Sequence, residues 1–100
     1  MIDLPADQLK TVKRILKTVI PDYEIRAFGS RVAGTAKPWS DLDLLLVGNQ
    51  AVEETRLCEL RELFEESDLP IRVDLLDVRT LSSEFLAAIN NSPSEVLMAP

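Results

Sequence analysis

The 100-residue chain is 46% apolar and 28% charged, ordinary values for a globular protein and far from those of a disordered, collagenous or repeat chain. Its formal net charge of −6, from 11 basic and 17 acidic residues, argues against direct nucleic-acid binding, which draws its affinity mainly from neutralised phosphates. A single cysteine, Cys58, excludes an internal disulfide, and the lack of histidine excludes Ser-His-Asp and Cys-His nucleophiles and histidine-ligated zinc.

The length predicts one domain over residues 1–100. The longest apolar runs, such as residues 44–47, fall far short of the ~20 residues that span a bilayer. The N-terminus also lacks a basic segment followed by an apolar stretch, so a soluble, cytoplasmic protein with no membrane partner is expected. Charge is unevenly spread: residues 1–40 hold seven basic and four acidic residues, residues 41–100 four and thirteen.

In residues 5–20, Leu9, Val12, Leu16 and Val19 recur at three- and four-residue steps, and Pro5 suits a first helical turn, which predicts an amphipathic helix. Lys10, Lys13, Arg14 and Lys17 fall on its solvated face. Pro21-Asp22 ends the helix, and residues 23–28, rich in aromatic and branched side chains and closed by Gly29, read as a strand. Residues 29–40 form a loop with room for one helical turn after Ser30. A second strand follows over residues 42–47.

Beyond Gly48-Asn49, residues 52–67 place Leu57, Leu60, Leu63 and Phe64 on one side of a charged helix, with Cys58 expected as a small buried apolar neighbour. Residues 68–70 break it, and residues 71–76 alternate as a third strand up to Asp77. Ser82 or Ser83 can cap a last helix through Ile89, with Glu84 in its first turn. Residues 96–98 fit either a short strand or a tail.

One constellation carries chemistry. Gly29-Ser30 is followed, after ten intervening residues, by Asp41-Leu42-Asp43 at the opening of an apolar strand. A glycine at a strand end lets backbone approach a ligand, and the next N–H groups and the Ser30 hydroxyl can face phosphate oxygens, with Arg31 adding a fixed charge. Asp41 and Asp43, two apart on a strand, share one face with Cα atoms about 6.7 Å apart. Hard carboxylates of this kind suit Mg²⁺ together with substrate phosphates. Asp74, on a strand able to lie beside the second, is the candidate third carboxylate that would permit a second ion. Asp77, three residues on, falls on the opposite face.

The plain alternative is a turn glycine and the wet face of a half-exposed sheet. A four-residue pattern at fixed spacing, however, arises by chance in about one 100-residue chain per thousand. Trp39, beside the acidic pair, can stack on a base, cover local core or meet a partner. Tyr23, Arg26 and Arg79 are equally accounted for by strand-end packing and solvation.

Residues 29–34 and 40–44 resemble the G-S-x10-D-x-D signature of the DNA polymerase β-like nucleotidyltransferase superfamily, and the short length resembles its minimal nucleotidyltransferase branch. The resemblance extends over nearly the whole chain and implies an α/β (α+β) fold, a small mixed β-sheet flanked by helices. It further implies ATP as substrate, Gly29, Ser30 and Arg31 as the nucleotide-binding turn, and Asp41, Asp43 and Asp74 as catalytic ligands of Mg²⁺, with two ions expected.

Minimal nucleotidyltransferases pair with all-helical HEPN proteins in toxin-antitoxin modules. The resemblance therefore implies an antitoxin that transfers AMP to a tyrosine hydroxyl of a HEPN RNase. Two other readings remain open at this point: a non-catalytic nucleotide-binding subunit that neutralises its partner by contact, and nucleotidylation of a small molecule such as an aminoglycoside.

Overall fold

The computed structural model describes residues 2–100. Its elements follow in the order α1 (Ala6–Val19), β1 (Glu24–Phe28), α2 (Ser30–Ala33), β2 (Leu42–Val47), α3 (Glu54–Glu66), β3 (Val73–Asp77), α4 (Ser83–Asn90) and β4 (Ser94–Met98), with a 3₁₀ turn at Val78–Thr80. The four strands form one mixed sheet in the order β3-β2-β1-β4. β1 runs antiparallel to both β2 and β4, whereas β2 and β3 are parallel, joined by the crossover helix α3.

The three- and four-residue spacing in α1 turns Val12, Ile15, Leu16 and Val19 onto one stripe. That stripe packs with Leu60 and Phe64 of α3 on Ile25 and Ala27 of β1 and on Leu42, Leu44 and Leu46 of β2. Because strand side chains alternate, Asp43 and Leu45 lie on the opposite face. Each fully buried leucine contributes about 1.5–3 kcal/mol of transfer free energy. The two helices are also tied by Arg56, whose Nη2 and Nε donate to the Val19 carbonyl at 3.0 and 3.2 Å and which pairs with Asp22.

Most expected elements are present, with ends shifted by at most two residues. The undecided C-terminal stretch is a strand, because β1 offers it a free edge: Arg26 pairs with Val96 and Phe28 with Ser94. Ser82 caps α4 by accepting from the Phe85 N–H at 3.1 Å. Cys58 overturns the expectation of burial. It is exposed, because it falls beside the Leu57, Leu60 and Phe64 stripe on the outer turn, where its thiol faces Glu54 four residues back. No helix among the described residues is long and apolar enough to cross a membrane.

Candidate active site

β1 ends at Gly29, whose φ of +75° begins a sharp reversal into α2. Its carbonyl accepts from the N–H groups of Val32 and Ala33 at 3.1 and 2.9 Å, so Ser30 opens the helical turn. Two independent constraints select glycine here. A side-chain-bearing residue is strained at this φ, and a β-carbon would collide with the carboxylate of Asp43. The Gly29 turn and the Asp43 carboxylate therefore lie against one another, as the register Phe28↔Asp43 requires.

The parallel register sets Asp74 opposite Asp43 and Val73 opposite Leu42. Asp43 and Asp74 consequently project on the same face, away from α1 and α3. The proximity has an electrostatic signature. The Asp43 carboxyl is held above its ordinary pKa, first by desolvation and then by the charges of Asp74 and Asp41, with Arg72 opposing them. Asp41 stands one step outward, half exposed, its Oδ2 3.7 Å from Arg72 Nε. Arg72 escaped the sequence reading, although its position two residues before Asp74 on an alternating strand places it on the same face as that aspartate.

Among the described residues, no three acidic, cysteine or histidine side chains are already gathered around one point as a metal cage. The donor set nonetheless fits Mg²⁺, which binds through one or two carboxylates and completes its shell with water and substrate phosphates. Asp43 with Asp41 or Asp74 supplies such a pair, and the crowding that raises the pKa of Asp43 is what a divalent cation would relieve.

The structure redirects Arg31. Expected to add its charge to the phosphate turn, it is only 5% exposed and turns inward. Its Nη1 donates to the Asp3 carbonyl at 2.9 Å, its Nη2 to the carbonyls of Ser40, Pro38 and Lys37 at 2.9, 3.2 and 3.2 Å, and its Nε to Ser40 again at 3.2 Å. Spent on backbone carbonyls, the guanidinium braces the loop that delivers Asp41 and does not face a ligand. A motif position next to Ser30 gives no sign of which way a side chain turns.

Asp77 is likewise internal, 6% exposed, accepting from the N–H groups of Val52 and Arg79 at 2.7 and 2.9 Å. It anchors the start of α3 to the end of β3 and leaves Asp74 as the carboxylate on the acidic face. Tyr23 donates to the Gln50 carbonyl at 2.9 Å, Arg26 pairs with Glu24 at 2.9 Å, and Arg79 donates to the Gly48 carbonyl at 2.8 Å. These three residues serve packing and strand ends.

Residues 9–95 match the nucleotidyltransferase domain family. The chain belongs to it. A relative from Haemophilus influenzae, "Probable protein adenylyltransferase MntA", is 48% identical over 84 residues, which are 84% of this chain and 74% of the relative.

A crystal structure of a toxin-antitoxin with AMP-PNP aligns with a TM-score of 0.73 at 25% identity, covering 92% of this chain and 73% of that one. A further structure, of a tri-AMPylated Shewanella oneidensis HEPN toxin in complex with MNT antitoxin, aligns with a TM-score of 0.66 at 22% identity over 92% of this chain and 70% of that one. At that identity the second likeness speaks for the fold, a mixed sheet with flanking helices.

Proposed function

We propose that this chain, acting as a single domain over residues 1–100, is a protein adenylyltransferase. It transfers AMP from ATP to a hydroxyl, in our reading a tyrosine, of a helical HEPN-family RNase, and so serves as that toxin's cytoplasmic antitoxin. The observation that carries the reading is the contact between the Gly29 turn and Asp43, with Asp74 as the in-register neighbour. A phosphate-binding turn and an acidic pair thereby share one side of the sheet. The Haemophilus relative named as a protein adenylyltransferase supports the reaction class, and the antitoxin structures support the kind of partner.

In this reading the Gly29 and Ser30 turn holds the triphosphate, and Asp41, Asp43 and Asp74 would hold Mg²⁺. The metal, when bound, neutralises the phosphates and stabilises the attacking and leaving oxygens. The acceptor oxygen forms a bond to the α-phosphorus while the bond from that phosphorus to the bridging oxygen of the β-phosphate breaks, and pyrophosphate departs. In this reading Asp74, on the sheet-edge strand β3, takes the acceptor proton.

The product carries a bulky anion where a hydroxyl stood, which suffices to block an active site. A purely contact-based antitoxin would have no use for carboxylates crowded enough to raise the pKa of one of them.

The test is intact-mass spectrometry of the HEPN-family protein encoded beside this chain, after incubation with the chain, ATP and Mg²⁺. Wild type is expected to add one or more adenylyl masses, and the double variant Asp41→Asn, Asp43→Asn none. An unmodified partner in a tight, inhibited complex would instead establish the contact-based reading.

A further inference from the structure

Trp39, the single tryptophan of the chain, is 73% exposed, more than any other large apolar side chain among the described residues. At that exposure it does not serve the core. The Lys37 ammonium lies 5.7 Å from its ring centroid, which gives the projection an aromatic surface and a positive charge together.

The loop beneath it is held from inside. Arg31 gathers the carbonyls of Lys37, Pro38 and Ser40 within 3.2 Å and ties them to that of Asp3 at 2.9 Å. The Lys37 N–H also donates to Ser40 Oγ at 2.8 Å. Desolvating a guanidinium is expensive, and it is tolerated only when its donors are satisfied. What this clamp secures is an outward ring two residues before Asp41.

We propose that Trp39, presented on the Arg31-clamped loop, is the anchor by which the acceptor protein seats on the active site. It would enter an apolar pocket of that protein whose rim carries a carboxylate for Lys37. The inference rests on the acceptor being a protein, as proposed above. Three features argue for that occupant. The anchor is continuous with the acidic site that the acceptor hydroxyl must reach. Tryptophan leads among residues that dominate interface energy, and a pre-ordered loop lowers the entropy cost of docking. A nucleotide base, by contrast, is ordinarily enclosed by a concave wall, whereas this ring stands out from the surface.

Labelling with 5-fluorotryptophan gives one ¹⁹F signal from the chain, read alone, with MgATP, and with the HEPN-family protein encoded beside it. The signal is expected to move with the protein and to stay in place with MgATP alone. Trp39→Ala should weaken the complex about thirtyfold or more, measured by calorimetry, with MgATP affinity unchanged. Arg31→Lys keeps the charge but loses the fork, and should weaken the complex by a smaller factor.

A signal that moves with MgATP alone makes Trp39 a base-stacking residue and overturns the proposal. A complex that forms with the signal unmoved, or with Trp39→Ala binding as tightly as wild type, also overturns it and leaves the partner intact. If wild type forms no complex, the partner reading falls and the anchor with it. A complex without adenylyl transfer overturns the reaction alone.

Discussion

Along β2, Leu42, Leu44 and Leu46 are fully buried beneath α1 and α3, while Asp43, one residue away in either direction, keeps a partly hydrated carboxylate on the other face. The leucine face contributes stability and tolerates apolar side chains of similar volume. The aspartate face gives up stability, because it crowds like charges against a turn from which even a methyl group is excluded. Leu45 shares the Asp43 face and is itself only 4% exposed, so the contrast lies between Asp43 and its flanking leucines, and substitutions at Asp43 and Leu44 should have separable consequences.

The widest separation is expected between Asp43→Asn and Leu44→Ala. Removing the Asp43 charge should lower adenylyl transfer about a hundred- to thousandfold, the scale of losing one well-placed electrostatic group, with the urea midpoint unchanged or slightly raised. Leu44→Ala should cost about 2–5 kcal/mol in urea unfolding, while the fraction that remains folded keeps its turnover at low temperature. If the two variants lost activity and stability in the same proportion, the division of labour between the faces would be wrong.

Gly29→Ala crosses the division, since it strains a backbone at φ +75° and drives a methyl group into Asp43. Its stability cost should be about 1–3 kcal/mol, the range for a residue held in a sparsely populated conformation. Turnover should fall further than that loss explains, because the displaced group is the carboxylate itself. Measuring kcat for transfer beside the melting temperature separates the two contributions. Asp43→Gly with Gly29→Ala should relieve the clash but keep the cost of the φ of +75°, and should recover none of the activity.

The parity of β2 was legible from residue order because alternation is a local property. So was the placing of Asp74 and Asp77 on opposite faces, which needs only a count of three along a strand. What escaped was non-local. Residues 94–98 are a strand because of an edge supplied by β1, roughly seventy residues earlier. Arg31 is a brace because four carbonyls from two distant segments converge on it, and nothing in a Gly-Ser-Arg tripeptide encodes that convergence. Cys58 illustrates a different limit: at a helix position bordering the apolar stripe, one step of about 100° decides between core and water.

The smallest effect is the most direct measure of what the acidic face costs. The pKa of Asp43 is raised in the folded protein, by desolvation first and by Asp74 and Asp41 next. The folded state therefore binds its proton more tightly than the unfolded chain does. The stabilising contribution of that proton is complete below the ordinary carboxylate pKa and is lost as pH rises through the shifted one. At neutral pH, without nucleotide or metal, Asp43→Asn should accordingly be more stable than wild type, by no more than about 0.5 kcal/mol because water still screens the carboxylate. The advantage should shrink as the pH is lowered through the shifted pKa, be gone below the ordinary carboxylate value of about 4, and disappear or reverse when Mg²⁺ and ATP are added, since they act on the charged form alone. Melting curves of the two proteins from acid to neutral pH supply the test, and an advantage that grew toward low pH would mean that the acidic face is not held together against its own charge.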